Sequence, residues 1–229
     1  MDPRFTLPEK GNPYYNRIQN NGYSRAIQGA PVVDGLTVLR NCVGWAHSRF
    51  HEIAGCKAMN LFDPVNAENI FANAMGHGLR TGAFPDPGAL IVWQKGATLA
   101  GSDGAGHVAV VEALHKTGAI TTSESGYNAK KDMWTTVRNV PFENGAGYKL
   151  LGFVYQPSAV LDIKKGDRGQ VVQWIQARLA ARGYLRAGEI DGDFGRITLG
   201  AVCAFQLESG IKCDGIAGRL TRTALTLQK

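Results

Sequence analysis

An internal repeat near the end of the chain constrains its fold more than any other feature. Residues 191–198 read D-G-D-F-G-R-I-T, and residues 214–221 read D-G-I-A-G-R-L-T. Glycine permits a positive φ, Asp bonds nearby backbone amides, and apolar residues follow each copy at helical spacing. The repeat therefore predicts two similar units, each a loop that enters a helix.

The repeated loops have more than one possible role. We expect the segments 191–195 and 214–218 to frame a shallow binding groove, whereas their Gly and Asp residues could also serve only the geometry of a turn. A calcium loop is a further alternative, but neither copy has the alternating oxygen ligands and the closing Glu of an EF-hand.

The part of the chain before the repeat has a different pattern. Apolar or aromatic residues recur at helical spacing over residues 42–54, which predicts a helix with Cys42 at its start. Three apolar runs separated by Gly-rich stretches predict antiparallel strands of one sheet, and these runs are residues 89–93, 107–113 and 119–122.

The change from strand to helix patterns divides the chain. It occurs around Pro157, so we predict one domain over residues 1–157 and a second over residues 158–229. We expect the first domain to stay folded when the second is deleted. The predicted fold class is α+β, with a Cys-bearing helix packed on an antiparallel sheet and a small helical domain after it.

Charge and hydropathy limit the partners. The net charge is +6, and Lys and Arg outnumber Asp and Glu by 11 to 7 in residues 158–229. A basic tail favours an anionic partner such as a nucleic acid, a membrane surface or a wall polymer, or is simply a solvated surface. No nucleic-acid-binding motif appears, which disfavours the first. No apolar run approaches the roughly 18 residues of a membrane span, and the first ten residues do not resemble a secretory signal.

The four cysteines do not form a metal or redox motif. They are Cys42, Cys56, Cys203 and Cys213, and no two of them form a C-x-x-C pair. We expect free thiols, although Cys203 and Cys213 could bridge if the fold brought them together. His47 and His51 have a metal-ligand spacing, but HSRFH lacks the Glu of the zinc-protease motif, so we expect two partly exposed helix histidines.

Cys42, His107 and Glu124 are the candidate catalytic residues. A thiol at a helix start is favoured as thiolate by the helix dipole, and His107 begins a predicted strand at a sheet rim. A hairpin that turns at residues 116–118 pairs positions whose numbers sum to about 231–233, so His107 faces residues 124–126. A thiol, an imidazole and an orienting carboxylate form a nucleophile, base and orienter set. A small core cysteine is the alternative reading of Cys42.

Three segments and the tail together resemble known families. Asn41–Ala46 (NCVGWA), residues 106–112 (GHVAVVE) and residues 123–127 (SESGY) resemble the CHAP family, the cysteine, histidine-dependent amidohydrolases/peptidases. The tail resembles the peptidoglycan-binding-1 family through residues 166–169 (GDRG), both repeat copies, and the pairs Ile175-Gln176 and Phe205-Gln206. The combination is similar to a bacteriophage endolysin.

The resemblance implies a papain-like catalytic domain that cuts amide bonds of peptidoglycan, followed by a three-helix wall-binding domain. By motif, Cys42 is the nucleophile, His107 the base and acid, and Glu124 the orienting residue. Many CHAP domains carry Asn two residues after that Glu, whereas this chain has Gly126, with Asn128 the nearest substitute. Some relatives bind calcium through an acidic loop before the nucleophile, but here that stretch contains only Asp34, so we expect no structural calcium.

The expected activity is that of an N-acetylmuramoyl-L-alanine amidase. An endopeptidase of the stem or cross-bridge, an acyl transferase and a non-catalytic wall-binding protein remain alternatives. We expect no cofactor, no metal, no nucleic-acid partner and no membrane insertion, and we expect a monomer whose partner is bacterial peptidoglycan. We further expect synthesis in the host cytoplasm and, by family resemblance, a holin that admits the enzyme to the wall.

Overall fold

The protein is an α+β structure, as the sequence predicts. The computed structural model describes residues 1–9, 12–15, 41–56, 61–63, 65–95, 105–127, 129–145 and 147–227. Asp34 and Asn128, which the sequence analysis singles out, lie outside the described residues. Within the described residues no helix is long and apolar enough to cross a membrane.

One six-stranded antiparallel sheet organises the first part of the chain. The spatial order is β1-β6-β2-β3-β4-β5. The strands are β1 (Thr81–Gly82), β2 (Leu90–Lys95), β3 (His107–Leu114), β4 (Ile120–Glu124), β5 (Trp134–Arg138) and β6 (Tyr148–Val154). The three predicted strands correspond to β2, β3 and β4. The other three were not predicted.

Helix α1 (Cys42–Ala54) has the bounds that the sequence predicts. The side chain of Asn41 caps its first turn, and Gly55 ends it with φ 69°, a left-handed conformation that favours glycine. Its apolar side chains pack against one face of the sheet, including Trp45 and Phe50, which are fully buried. This packing holds Cys42 at the rim of the sheet next to the start of β3.

The second face of the sheet packs against the helical tail. A single buried cluster joins sheet residues such as Ile91 and Val111 to tail residues such as Ile175 and Leu179. The remaining helices are α2 (Ile70–Gly76), α3 (Gln170–Ala180), α4 (Arg196–Glu208) and α5 (Arg219–Thr226), with short 3-10 turns at Ala67–Asn69 and Ala187–Glu189. Helices α3, α4 and α5 form the predicted three-helix tail.

Polar contacts also link the tail to the sheet. The indole nitrogen of Trp174 donates to the Gly118 carbonyl at 3.0 Å. The guanidinium of Arg222 is fully buried, donates to the Pro85 carbonyl at 2.7 Å and lies over the Phe84 ring at 4.0 Å. A first domain without the tail would expose this surface, so these contacts oppose the expectation that it folds alone. The predicted boundary at residues 157 and 158 stays a prediction.

Each repeated loop of the tail is held from the inside by a buried glutamine. The side-chain amide nitrogen of Gln176 donates to Asp191 Oδ1 at 2.8 Å, and its oxygen accepts from the Gly192 amide at 2.8 Å. Gln206 does the same for the second copy, donating to Asp214 Oδ1 at 3.0 Å. The repeated Asp therefore stabilises a turn, which favours the structural alternative over the predicted groove.

The helix histidines differ from their expected exposure. His47 and His51 are 3% and 1% exposed, and their rings stack with centroids 3.7 Å apart. The helix α1 turns this face towards the Phe62 ring, whose centroid is 5.0 Å from that of His47. The prediction that both histidines are partly exposed was therefore wrong. It rested only on the i, i+4 spacing, which does not show that Phe62 packs against this face of the helix. Cys42, Cys203 and Cys213 are free thiols, so the possible bridge between Cys203 and Cys213 is not formed.

Candidate active site

Cys42 and His107 border one open cleft at the rim of the sheet. The cleft has a volume of about 500 Å³ and is also lined by Lys95, Tyr127 and Tyr148. Cys42 enters it from the first turn of α1, and His107 enters it from the first residue of β3. Two of the predicted site residues therefore share a solvent-accessible surface large enough for a peptide segment.

The cap of α1 leaves a donor at the cleft. The Asn41 side chain accepts hydrogen bonds from the backbone amides of Val43 and Gly44 at 2.8 and 3.2 Å. The backbone carbonyl of Asn41 accepts from the backbone amide of Trp45 at 3.0 Å. The cap itself does not use the amide of Cys42. An amide at a helix start with no partner in the cap is suited to bind a developing oxyanion.

Glu124 lies behind His107, away from the cleft. The Nε2 atom of His107 is 2.7 Å from Oε2 of Glu124, and Glu124 is only 2% exposed. In the β3 and β4 hairpin, Val110 pairs with Ser123, so the paired numbers sum to 233 next to the site, within the predicted range. Because Nε2 is occupied by Glu124, Nδ1 is the ring nitrogen left for Cys42.

The charges of this group favour an ion pair. Burial opposes the charged form of His107, but hydrogen bonds to Cys42 and Glu124 outweigh it and raise the pKa of His107 to about 9. Burial also opposes ionisation of Glu124, but the hydrogen bond from His107 and the charge of Arg138 lower the pKa of Glu124 to about 2. At neutral pH the pair is therefore imidazolium and carboxylate.

Arg138 and Trp93 are not among the site residues that the sequence predicts. The guanidinium of Arg138 contacts both carboxylate oxygens of Glu124, and the Trp93 ring stacks on His107 with centroids 5.7 Å apart. The signal for Arg138 was present, because W-T-T-V-R alternates as a strand does and places Arg138 on the face shared with Thr136. That strand was not recognised, so its Arg was not considered.

Two glycines fit closely against the site. Gly106 has φ 60°, and a Cβ there would overlap the Trp93 carbonyl oxygen, so a side chain at this position would disturb the start of β3 and hence His107. At Gly126, where many CHAP domains have Asn, a Cβ would lie 3.0 Å from the Trp134 ring. This crowding explains why a larger residue is not accommodated without a shift of Trp134.

No metal centre accompanies these residues in the part of the chain that the structure describes. There, no group of three or more His, Cys, Asp or Glu side chains is placed to hold an ion. A thiol, an imidazole and a buried carboxylate form one of the sets of groups that carry out nucleophilic amide cleavage. The arrangement can therefore form and hydrolyse a thioester with its own side chains.

Comparison with known proteins gives two family matches. Residues 32–126 match the CHAP domain, and residues 168–225 match the peptidoglycan binding domain of the peptidoglycan-binding-1 family. The first match contains Cys42, His107 and Glu124, and the second contains both copies of the repeat. Each match lies inside one of the two domains that the sequence predicts.

Individual relatives share only part of the chain. A protein named "Probable N-acetylmuramoyl-L-alanine amidase" from Bacillus licheniformis is 41% identical over 70 residues, which are 30% of this chain and 20% of that protein. A spore cortex-lytic enzyme from Oceanobacillus iheyensis is 43% identical over 63 residues, 28% of this chain and 22% of that protein. The chain thus spans about a fifth of the length of these two relatives.

A solved structure of an N-acetylmuramoyl-L-alanine amidase from Staphylococcus aureus is 20% identical, covers 59% of this chain and 36% of its own, and has a TM-score of 0.40. The two family matches, which together include the candidate site and the repeat, define the architecture. The chain therefore contains a match to the CHAP domain followed by a match to a C-terminal peptidoglycan-binding domain, in the order that the sequence predicts.

Proposed function

We propose that the protein is a cysteine-dependent peptidoglycan hydrolase with Cys42 as nucleophile, His107 as acid and base, and Glu124 as the residue that orients His107. The observation that supports this most is the 2.7 Å contact between His107 Nε2 and Glu124 Oε2, behind an imidazole that shares an open cleft with Cys42. The CHAP match and the relatives named as an amidase and a cortex-lytic enzyme support peptidoglycan as the substrate.

The reaction begins at the sulfur of Cys42. The thiolate of Cys42, beside the His107 imidazolium, attacks the amide carbonyl carbon of the wall peptide. The oxygen becomes negative and the amide of Cys42 donates a hydrogen bond to it, an interaction worth on the order of 100-fold in rate. His107 then gives its proton to the leaving amine as the carbon–nitrogen bond breaks, and a thioester remains.

Water completes the cycle. His107, now neutral, takes a proton from water, and the resulting hydroxide attacks the thioester carbon. The carbon–sulfur bond breaks, releasing a carboxylic acid product and the Cys42 thiolate beside a protonated His107. Glu124 accepts the Nε2 hydrogen bond throughout, so the imidazole keeps Nδ1 towards the thiol in both steps.

The bond between muramic acid and L-alanine is the preferred target in this proposal. The relative from Bacillus licheniformis, which is named as a probable amidase, favours it. The alternatives are an endopeptidase of the stem or cross-bridge and an acyl transferase. A lytic role in bacteriophage release, with a holin that admits the enzyme to the wall, is the biological form of the proposal and is supported by the family resemblance.

The proposal is tested by digestion of purified walls, with Cys42→Ala as the inactive variant and Cys56→Ala as the matched control. We expect wild type and Cys56→Ala to clear the wall suspension and Cys42→Ala to leave it turbid. Mass spectrometry of the products then identifies the bond, because an amidase releases peptides with amino-terminal alanine from the sugar. Clearing by Cys42→Ala, or binding without products from several wall types, would contradict the proposal.

A further inference from the structure

Arg138 reaches the candidate site along the length of a strand pair. It ends β5 opposite Ile120, whereas Glu124 ends β4 opposite Trp134, so the two charged residues start from opposite ends of the pair. Ile120, the partner of Arg138, lies four residues from Glu124, and side chains an even number of residues apart point to the same face of a sheet. The side chains of Arg138 and Glu124 therefore lie on the same face. The extended Arg138 side chain passes Thr122 before it meets Glu124.

The guanidinium of Arg138 is fully engaged at that point. Its Nη2 atom donates to both carboxylate oxygens of Glu124 at 2.9 and 2.8 Å, and its Nε donates to Thr122 Oγ1 at 3.3 Å. Its Nη1 donates to the Glu143 carbonyl at 3.0 Å. Arg138 is 8% exposed and Glu124 2%, so two charges that are costly to bury singly are buried together.

Trp93 connects the same arginine to the imidazole. The Arg138 guanidinium carbon lies 4.5 Å from the Trp93 ring centroid, and the Trp93 ring stacks on His107 at 26° between planes. The indole nitrogen of Trp93 is anchored on the Phe142 carbonyl at 2.8 Å. The position of the imidazole is thus fixed through Glu124 on one side and through an anchored indole on another.

We propose that Arg138 is a positioning residue for the reaction, which holds Glu124 ionised and in the one orientation that turns Nδ1 of His107 towards Cys42. This inference rests on the proposed function. Arg138 lies beyond residue 126, where the CHAP match ends, so the match does not include it. A buried pair that serves only folding is the competing explanation.

The first test replaces the arginine by Arg138→Gln and by Arg138→Lys. Lysine keeps the charge but lacks the planar guanidinium, so it loses the bonds that Nε and Nη1 of Arg138 donate to Thr122 and to the Glu143 carbonyl. On a soluble muropeptide we expect Arg138→Gln to lower kcat about 100-fold, the effect of misplacing a reacting group by about 1 Å, with KM within about two-fold of wild type. Arg138→Lys should recover part of this and stay about 10-fold below wild type.

Arg49→Gln is the matched control. Arg49 is 5% exposed and also contacts both oxygens of a buried carboxylate, since its Nε and Nη2 atoms each lie 3.0 Å from one oxygen of Glu112. Its other bonds go to Glu52, in the last turn of α1, and to the Asp2 carbonyl. At equal folded fraction, measured by circular dichroism, Arg49→Gln should retain kcat within about three-fold of wild type.

A titration measures positioning without turnover. The carboxylate of Glu124 faces His107, Arg138 and the hydroxyls of Thr122 and Thr136, and His107 in turn faces Cys42. Removing the Arg138 charge therefore raises the pKa of Glu124, by at least about one pH unit, whereas Arg138→Lys leaves it near wild type. Carbon-13 NMR of labelled glutamate carboxyls reads this, with Glu124→Gln used for assignment.

The outcomes separate the two proposals. Wild type that cleaves no wall, together with the expected Glu124 titration, would sink the proposed function and leave the role of Arg138 in holding Glu124 intact. An unchanged Glu124 titration in Arg138→Gln, or a loss of kcat equal to that of Arg49→Gln, would overturn the positioning role. Should Arg138→Gln not fold, Arg138→Lys with wild-type kcat would overturn it as well.

Discussion

The polar side chains of the sheet and those of the helical tail are arranged around different targets. In the sheet, Arg138, Glu124 and His107 form a chain of contacts that leads outward to Cys42 at an open cleft. In the tail, the repeated Asp and Thr residues turn inward to the buried side chains of two glutamines. The repeated motif therefore stabilises the fold of the tail, whereas the candidate catalytic residues are far apart in the sequence and do not belong to a repeat.

The buried hydrogen bonds of the tail and of the candidate site have different roles. Gln206 satisfies two amides and three oxygens of its loop, so its whole bonding capacity stays inside the tail. His107 gives one nitrogen to Glu124 and keeps the other towards a thiol that faces solvent.

Loss of the imidazole should have the largest effect. We expect His107→Ala to lower the rate of wall cleavage by at least about 1,000-fold, because neither thiolate formation nor protonation of the leaving amine has a substitute group. The measurement is release of new amino groups from walls at matched enzyme concentration. His115→Ala is the control, since His115 hydrogen-bonds Thr121 at the far end of the hairpin. Cleavage within ten-fold of wild type by His107→Ala would contradict the assignment.

The packing between tail and sheet comes next. Trp174 is fully buried and joins the cluster that spans both parts, so Trp174→Ala should lower the free energy of unfolding by about 4 kcal/mol. Hydrogen exchange should report faster opening of β3 as well as of α3. Leu220→Ala, at a side chain 64% exposed, should leave both unchanged. Faster exchange confined to α3 would show that the sheet folds independently, as the sequence analysis expected.

The glutamine that holds a repeated loop should matter for stability and not for chemistry. Gln206→Ala leaves several buried groups without partners, so we expect a loss of about 3 kcal/mol in the free energy of unfolding. At a temperature where the variant stays folded, cleavage of a soluble muropeptide should equal that of wild type. Urea unfolding and a turnover assay check the two halves of this prediction. If Gln206→Ala lost turnover while its free energy of unfolding was unchanged, the residue would serve the reaction and not the fold, contrary to this prediction.

The charge of Glu124 should show in the pH profile. Its contact raises the pKa of His107, so Glu124→Gln should lower that pKa and move the alkaline limit of activity from about pH 9 towards neutral pH. The profile of kcat against pH gives the limit directly. Glu208→Gln in the exposed end of α4 should leave it in place. An alkaline limit that does not move in Glu124→Gln would mean that another group sets it.

The carboxylate of the first repeat should have the smallest effect. Asp191→Asn keeps an oxygen that can accept from Gln176, so the melting temperature should change by no more than about 2 °C and wall binding should persist. A pull-down with purified walls and a thermal melt test this. If Asp191→Asn lost wall binding at an unchanged melting temperature, the result would support the prediction that this loop frames a binding groove.

The parts that the sequence predicted are those governed by local patterns. Helix α1 follows from its 3.6-residue spacing, and the contact between His107 and Glu124 follows from the register of one short hairpin. Strand β5 was missed because its exposed and partly buried residues alternate, and β6 was missed because Gly152 interrupts its apolar residues. Arg138 could not be placed without β5, since its contact with Glu124 spans a strand pair.

The packing of the tail was also beyond local patterns. Residues 158–229 read as a separate helical unit, and only the three-dimensional structure places Trp174 and Arg222 against the sheet. Both faces of β3 are buried, as its continuous apolar run V-A-V-V indicates. The run does not indicate which element packs against each face. What covers each face is decided by tertiary contacts.

The rate of thiol alkylation shows whether His107 activates Cys42. Iodoacetamide labelling at pH 6, followed by peptide mass spectrometry, compares Cys42 with the exposed Cys213 in the same molecule. In wild type we expect Cys42 to react faster than Cys213, and in His107→Ala we expect Cys42 to lose this advantage while Cys213 keeps its rate. A Cys42 that reacts no faster than Cys213, or whose rate is the same with and without His107, would contradict the account.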